Sequence, residues 1–126
     1  MDFNNTQPIF IQIADYICTQ ALQGIFSPGC RILSVRELAV QLEVNPNTVM
    51  RAYERLQNSG IIYNKRGIGY FIADNALTQI HQLKKQQFID EILPSMFKEM
   101  QLLGIDITEI ATQYTQFLSR QKDPAT

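Results

Sequence analysis

Asn45-Pro46-Asn47-Thr48-Val49-Met50-Arg51-Ala52-Tyr53-Glu54-Arg55 is the stretch whose reading decides the fold of this chain of 126 residues. Asparagine is a favoured helix N-cap and proline is favoured at the first helical position, so a helix starts at Pro46. Val49, Ala52, Tyr53 and Leu56 follow at i, i+3, i+4 and i+7, the spacing of one apolar face. Gly60 closes the element. With those side chains turned inward, Asn47, Thr48, Arg51, Glu54 and Arg55 face away. The exposed start of the helix therefore carries amides, a hydroxyl and arginines instead of ordinary surface filler.

Working upstream, Ser34 stands three residues before Glu37, the spacing of a capping box. Val35, Leu38, Ala39 and Leu42 behind it repeat the helical period. Glu43-Val44 make a tight connection to Asn45. Two short helices that meet through so short a turn, each with an apolar face, form a helix-turn-helix. Further upstream, Pro8 opens a helical pattern with Ile9, Ile13, Ile17, Ala21 and Ile25 as its apolar stripe, and Pro28-Gly29 end it. Downstream, Ile61 to Tyr63 and Tyr70 to Ala73 read as two strands joined by a turn over Asn64 to Gly69. A lone two-stranded hairpin is marginal and must lean on the helices.

From Asp74 the composition changes. Leu77, Ile80, Leu83, Phe88, Ile92, Met96, Met100 and Leu103 form a helical stripe that runs to Gly104, with a kink expected at Pro94. Asp106 and Glu109 cap a last helix marked by Ile110, Tyr114, Phe117 and Leu118, and the tail from Gln121 to Thr126 is expected to fray. The class is mainly α with a small β-hairpin: a winged helix-turn-helix over residues 1–73, then a helical dimerisation segment of two helices over 74–126. The stripe from Leu77 to Leu103, with Tyr114 and Phe117, is the expected dimer interface.

A hydrophobic content of 45% fits a packed globule and argues against disorder. No apolar run approaches the ~20 residues that cross a bilayer, and the acidic, polar start is not a secretory signal, so a cytoplasmic protein without a membrane partner is expected. Two cysteines, Cys18 and Cys30, are too few for a disulfide framework. With His81 as the single histidine they make no zinc site. No phosphate-cradling glycine motif occurs, and Asp90-Glu91 point different ways on a helix. Neither an enzyme nor a cofactor is expected. The net charge of −1 is uninformative, but its distribution is not: residues 31–66 hold six basic and three acidic side chains, whereas residues 74–126 hold five and seven. A locally basic module beside an acidic remainder suits a DNA reader with a separate assembly element.

Asn47 and Thr48 sit in the first turn of their helix, where the dipole and unpaired backbone N–H groups favour phosphate. Their side chains add hydrogen bonds to phosphates or base edges. Arg51, one turn on, is long enough for a guanine edge or a phosphate. Arg55 is a phosphate contact or plain surface. Asn45 is a cap or a cap that also touches DNA, and Ser34 has the same pair of roles at the preceding helix. Arg36 lies early in that helix, which crosses the backbone in helix-turn-helix docking. Lys65, Arg66, Gly67 and Gly69 place two cations and bare backbone at a hairpin tip able to enter the minor groove. The competing class of function is a protein–protein assembly module without specific DNA binding, with the acidic helical tail docking a partner.

These residues also carry a family likeness. Pro8-Ile9-Phe10, Gln12-Ile13, Pro28-Gly29, Ser34-Val35-Arg36-Glu37-Leu38-Ala39, Asn45-Pro46-Asn47-Thr48-Val49, Arg51-Ala52-Tyr53, Leu56, Gly60 and Arg66-Gly67-Ile68-Gly69 with Phe71 occur in the order of the GntR family of bacterial transcription regulators. The chain resembles its YtrA subfamily most, over residues 8–73. The resemblance implies a winged helix-turn-helix, a homodimer and a palindromic operator on double-stranded DNA, usually bound as a repressor, with nearby transporter genes as targets. It implies DNA contact at Arg36, Asn47, Thr48 and the Arg66-Gly67 wing. It names no effector. The chain departs from the family in having Ile32-Leu33 where Leu-Pro is common before the Ser-x-Arg motif, and Met50 where some members carry arginine.

Overall fold

The computed structural model describes residues 1–4 and 6–121, which fall into two compact units, Met1–Lys84 and Lys85 onward. In the first unit, α1 (Ile9–Leu22), α2 (Val35–Leu42) and α3 (Pro46–Asn58) are followed by an antiparallel hairpin, β1 (Ile62–Lys65) and β2 (Gly69–Ile72), and by the start of α4 (Ala76–Gln87). Ile13, Ile17, Val49, Leu56, Ile61, Ile72 and Ile80 are fully buried at its centre.

The caps read in the sequence set the helix-turn-helix. Ser34 Oγ accepts the Glu37 backbone N–H at 3.1 Å while Glu37 Oε1 accepts the Ser34 N–H at 3.0 Å, the full reciprocal box. Those bonds, the backbone one first, hold the Glu37 carboxyl below its ordinary value. Asn45 Oδ1 accepts the Asn47 N–H at 2.8 Å and Pro46 opens α3. Between the two helices Glu43 adopts φ +56°, a left-handed conformation that costs a β-carbon residue about 1 kcal/mol and lets the chain reverse within two residues.

α1 differs from its expected extent. It ends at Leu22, ahead of Pro28-Gly29, and Ile9 and Ile25 are exposed rather than in its buried stripe. A repeat of four residues drifts about 40° per step around a helix, so only its centre, Ile13, Ile17 and Ala21, stays in the core, joined by Ala14 and Cys18. Gln12 is buried too. Its amide donates to the Asn4 and Gln7 carbonyls and its oxygen accepts the Asn4 N–H, which ties the N-terminal arm to α1.

Towards the tip the hairpin extends beyond the apolar runs, by two residues on β1 and by one on β2. Its register pairs Ile62 with Ile72 and Lys65 with Gly69, which leaves Arg66, Gly67 and Ile68 as the loop. The segment before α2 adds a third, short edge: Ile32 N–H donates to the Tyr70 carbonyl and Ile72 N–H to the Cys30 carbonyl, with Arg31 opposite Phe71.

The boundary between the units lies beyond residue 73. Ala76 and Ile80 are fully buried in the first core, Leu83 packs against it, and Lys84 Nζ reaches Asp15 Oδ1 on α1 at 3.2 Å. Ile80 therefore has no surface to offer a partner, a correction to its place in the expected interface. The helical period that put it on one stripe with Phe88 and Ile92 does not say where along a helix the covering surface changes.

In the second unit a π-helical turn (Phe88–Ile92) leads into α5 (Leu93–Leu103), and α6 (Ile107–Gln121) follows. The irregularity expected at Pro94 lies in the preceding turn, where the Leu93 N–H bonds the Phe88 carbonyl five residues back. A proline has no N–H to give and crowds the carbonyl four residues earlier, here Asp90, so the turn before it widens. Asp106 Oδ1 caps α6 by accepting the Glu109 N–H. Of the tail expected to fray, Gln121 is the last residue of α6 and residues 122–126 lie outside the described residues.

Ile80→Ala tests the boundary. Emptying that buried site should cost about 2–5 kcal/mol in a denaturant melt of the whole chain, whereas Ile92→Ala, on a half-exposed side chain, should cost far less.

Candidate nucleic-acid interface

Three elements of the first unit present the polar and basic groups singled out in the sequence: the start of α2, the start of α3 and the hairpin tip. Arg36, Asn47, Arg51, Arg55, Lys65, Arg66 and Gly67 are exposed, and Thr48 is half-buried. The opposite face of α3 is buried throughout through Val49, Ala52, Tyr53 and Leu56.

Tyr53 relates these elements to one another. Its ring is 1% exposed, and its hydroxyl donates to the Leu33 carbonyl, the residue before the Ser34 cap. The same ring meets Tyr70 of β2 edge-on, centroids 4.8 Å apart at 77°. One side chain of α3 thus touches both the segment that starts α2 and the inner face of the wing.

The backbone at the tip of α3 is already satisfied. Pro46 has no N–H, Asn45 Oδ1 takes that of Asn47, and the Asn45 carbonyl takes those of Thr48 and Val49 at 3.0 and 3.4 Å. This corrects the expectation of free donors for phosphate: the cap and the proline consume or remove them, and the Asn47 and Thr48 side chains are what the tip offers. Asn45 and Ser34 both act as caps through their oxygens, which leaves the Asn45 amide NH2 and the Ser34 hydroxyl proton to donate outward.

Arg51 is not a freely projecting arm. Its Cζ lies 4.1 Å from the Phe10 ring centroid, a cation–π contact that draws it sideways onto α1. Glu54 and Arg55 border the same shallow cleft. At the wing, Lys65 Nζ stands 4.8 Å over the Phe71 ring. Gly67 at φ +81° makes the tight loop, and Ile68 beside it is 58% exposed. Arg31, counted in the sequence only as part of the basic balance, lies against Gly69. Its one sequence signal was charge; its place on the wing follows from pairing with a strand forty residues away in the chain.

The expected interface residues of the second unit are largely open. Phe88, Ile92, Leu103, Tyr114 and Phe117 are 47–68% exposed, Met96 and Met100 are half-buried, and no residue of α5 or α6 is fully buried. Phe97, Leu102 and Ile107 add exposed apolar surface that the stripe had not included. Leu77, in the first unit, is 42% exposed. Cys18 is buried, and that burial pushes its thiol up to about 11. Among the described residues no cluster able to hold a metal occurs, and no helix is long and apolar enough to cross a membrane.

Capped helix-turn-helix, wing and basic tip together define a winged helix-turn-helix transcriptional regulator. The profile described as "Bacterial regulatory proteins, gntR family" matches residues 11–72. The chain is 36% identical over 110 residues to the HTH-type transcriptional repressor YtrA of Bacillus subtilis, covering 87% of this chain and 84% of that one. A crystal structure of a GntR-family transcriptional regulator from Bacteroides thetaiotaomicron superposes with a TM-score of 0.79 at 50% identity, over 90% of this chain and 98% of that one. The DNA-binding domain of AraR, solved in complex with operator ORX1, matches 57% of this chain and 93% of its own at 27% identity and a TM-score of 0.54. The chain belongs to the GntR family.

Tyr53→Phe tests the link at the centre of the interface. Burial raises the Tyr53 pKa above the 10.0 of a free tyrosine, so the protonated hydroxyl contributes stability in full below pH 10, and that contribution is lost as the pH rises through the folded value. The variant should lose about 1 kcal/mol at neutral pH and show a flatter alkaline limb in urea melts recorded from pH 7 upward.

Proposed function

We propose that this regulator binds a palindromic operator as a homodimer and acts as a repressor in the cytoplasm. Asn47 and Thr48 at the tip of α3 enter the major groove, with Arg51 reaching the phosphate rail once it leaves Phe10. Arg36, Ser34 and Asn45 contact the flanking phosphates, and Arg55 lies at the edge of this footprint. Lys65, Arg66, Gly67 and Gly69 bring the wing to the minor groove. The observation that carries the reading is what three elements of the first unit, linked through Tyr53, leave exposed: an amide and a hydroxyl on a capped helix tip, Arg36 at a second helix start and a basic wing. The operator complex of the related AraR domain supports it.

Two copies join through the second unit. Helices whose apolar side chains stand half or more exposed need a covering surface, and a second copy supplies the same apolar residues. In the second unit Phe88, Ile92, Met96, Met100, Leu103, Tyr114 and Phe117 are the proposed interface set, to which the first unit adds exposed Leu77 and half-buried Leu83. Half-sites then lie about one helical turn apart, ~10 bp or a little more. Transporter genes near its own are the targets this subfamily likeness favours.

Selection from a random DNA pool followed by gel shift tests the reading. Asn47→Ala is expected to cost about 1–3 kcal/mol and relax the preference at one position of each half-site, and Arg36→Ala to weaken all sequences alike. Sedimentation should show a dimer that Phe117→Asp with Ile92→Asp converts to monomer. Undiminished binding by the Arg36→Ala, Asn47→Ala double variant contradicts the proposed contacts. No affinity for any duplex at low salt would instead favour a protein–protein assembly role.

A further inference from the structure

The outer face of the wing carries Arg31, Tyr63 and Phe71, which the tip does not use, beside Lys65 and Gly69, which it shares with the tip. Phe71 pairs with Tyr63 on one side and with Arg31 on the other. Partners directly opposite in an antiparallel pair project to the same face. Tyr63, Phe71 and Arg31 therefore stand in a row, on the side away from buried Ile32, Ile62 and Ile72. The Tyr63 and Phe71 rings stack with centroids 5.6 Å apart and planes 18° from parallel. Lys65, two residues along from Tyr63, shares this face and holds its Nζ 4.8 Å over the Phe71 ring. A half-buried aromatic pair is thus flanked by two cations.

Gly69 accounts for the position of Arg31. It is the register partner of Lys65, and a Cβ built on it would stand 2.9 Å from Arg31 Nε and 3.6 Å from Cζ. The missing side chain leaves the trough in which the guanidinium lies. At φ +141° the backbone there also excludes most other residues. Among the described residues the ion pair formed is Lys84–Asp15, and neither Arg31 nor Lys65 has a carboxylate at pairing distance. Two exposed cations, each seated against a rigid surface and neither held in an ion pair, lose little conformational freedom on gripping a polyanion, although the Glu37 carboxylate is near enough to feel the charge of Arg31.

We infer that Arg31 and Lys65 form a phosphodiester-binding clamp on the outer face of the wing, with Gly69 kept small so that Arg31 can lie flat beside Lys65. The clamp rests on the DNA-binding reading above and extends it: the wing holds the sugar-phosphate rail by its face as well as entering the groove by its tip. Arg31 reaches that face from the segment before α2, so the grip also fixes the angle between the wing and the helix-turn-helix.

Binding of the full chain to a random-sequence DNA duplex, followed by fluorescence anisotropy from about 50 to 200 mM salt, reads this directly, because each phosphate contact contributes about 0.9 to the slope of log affinity against log salt. Arg31→Ala should make the slope shallower by about one such contact, and Arg31→Lys should restore most of it. Gly69→Ala should match Arg31→Ala, and the double variant should fall no further. A thermal melt checks that Gly69→Ala is folded, and where it is not, the Arg31 pair decides alone. An unchanged slope for Arg31→Ala in a chain that still binds overturns the clamp and leaves the DNA-binding reading standing. A wild-type chain that binds no duplex at low salt overturns both.

Discussion

The buried ring of Tyr53 is the contact on which the geometry of the reading head depends. Its hydroxyl holds the Leu33 carbonyl, which sets where Ser34 can cap α2, and its edge meets Tyr70 on the inner face of the wing. A buried tyrosine has to find a hydrogen-bond partner, so the requirement that keeps this ring in the core also fixes α2 and β2 relative to α3. The left-handed Glu43 closes the frame by reversing the chain between the two helices. The polar groups on the surface inherit their spacing from these few buried constraints.

A second regularity runs through the surface itself. Three arginine or lysine side chains near the interface rest on something rigid: Arg51 on the Phe10 ring, Lys65 on the Phe71 ring and Arg31 in the trough left by Gly69. Long cationic side chains are costly to order when they grip a ligand, and seating Lys65 and Arg31 beforehand reduces that cost, whereas Arg51 has to leave its ring to reach one. The N-terminus of α3 follows the opposite principle. Its backbone donors are spent on Asn45, and Pro46 has none, so in the proposed reading recognition there falls to side chains, which carry sequence information that backbone N–H groups do not.

The sequence disclosed most where the determinants are local. Ser34 with Glu37 and Asn45 with Pro46 are contacts between residues within three positions, and the helices they start lie where the pattern placed them. The four inward residues of α3 were legible for the same reason, since a helical period is a local property. Errors grew with sequence distance. Ile80 shares its period with Phe88 and Ile92, yet it is buried in the core of the first unit, and nothing in a local pattern marks that change. Ile9 and Ile25 looked equivalent to Ile13 because a repeat of four ignores the drift of a real helix. Arg31 was invisible as a wing residue because its strand partner, Phe71, can be found only after the chain has folded.

The most direct test of the account is an amide chemical-shift map of the full chain during titration with a selected operator duplex. The account predicts that the largest shifts fall at Arg36, at Asn47 to Met50 and at Arg66 to Gly69, with Arg31 and Phe71 following on the wing face. Shifts confined to residues 85–121, with the α3 tip and wing unmoved, would contradict it.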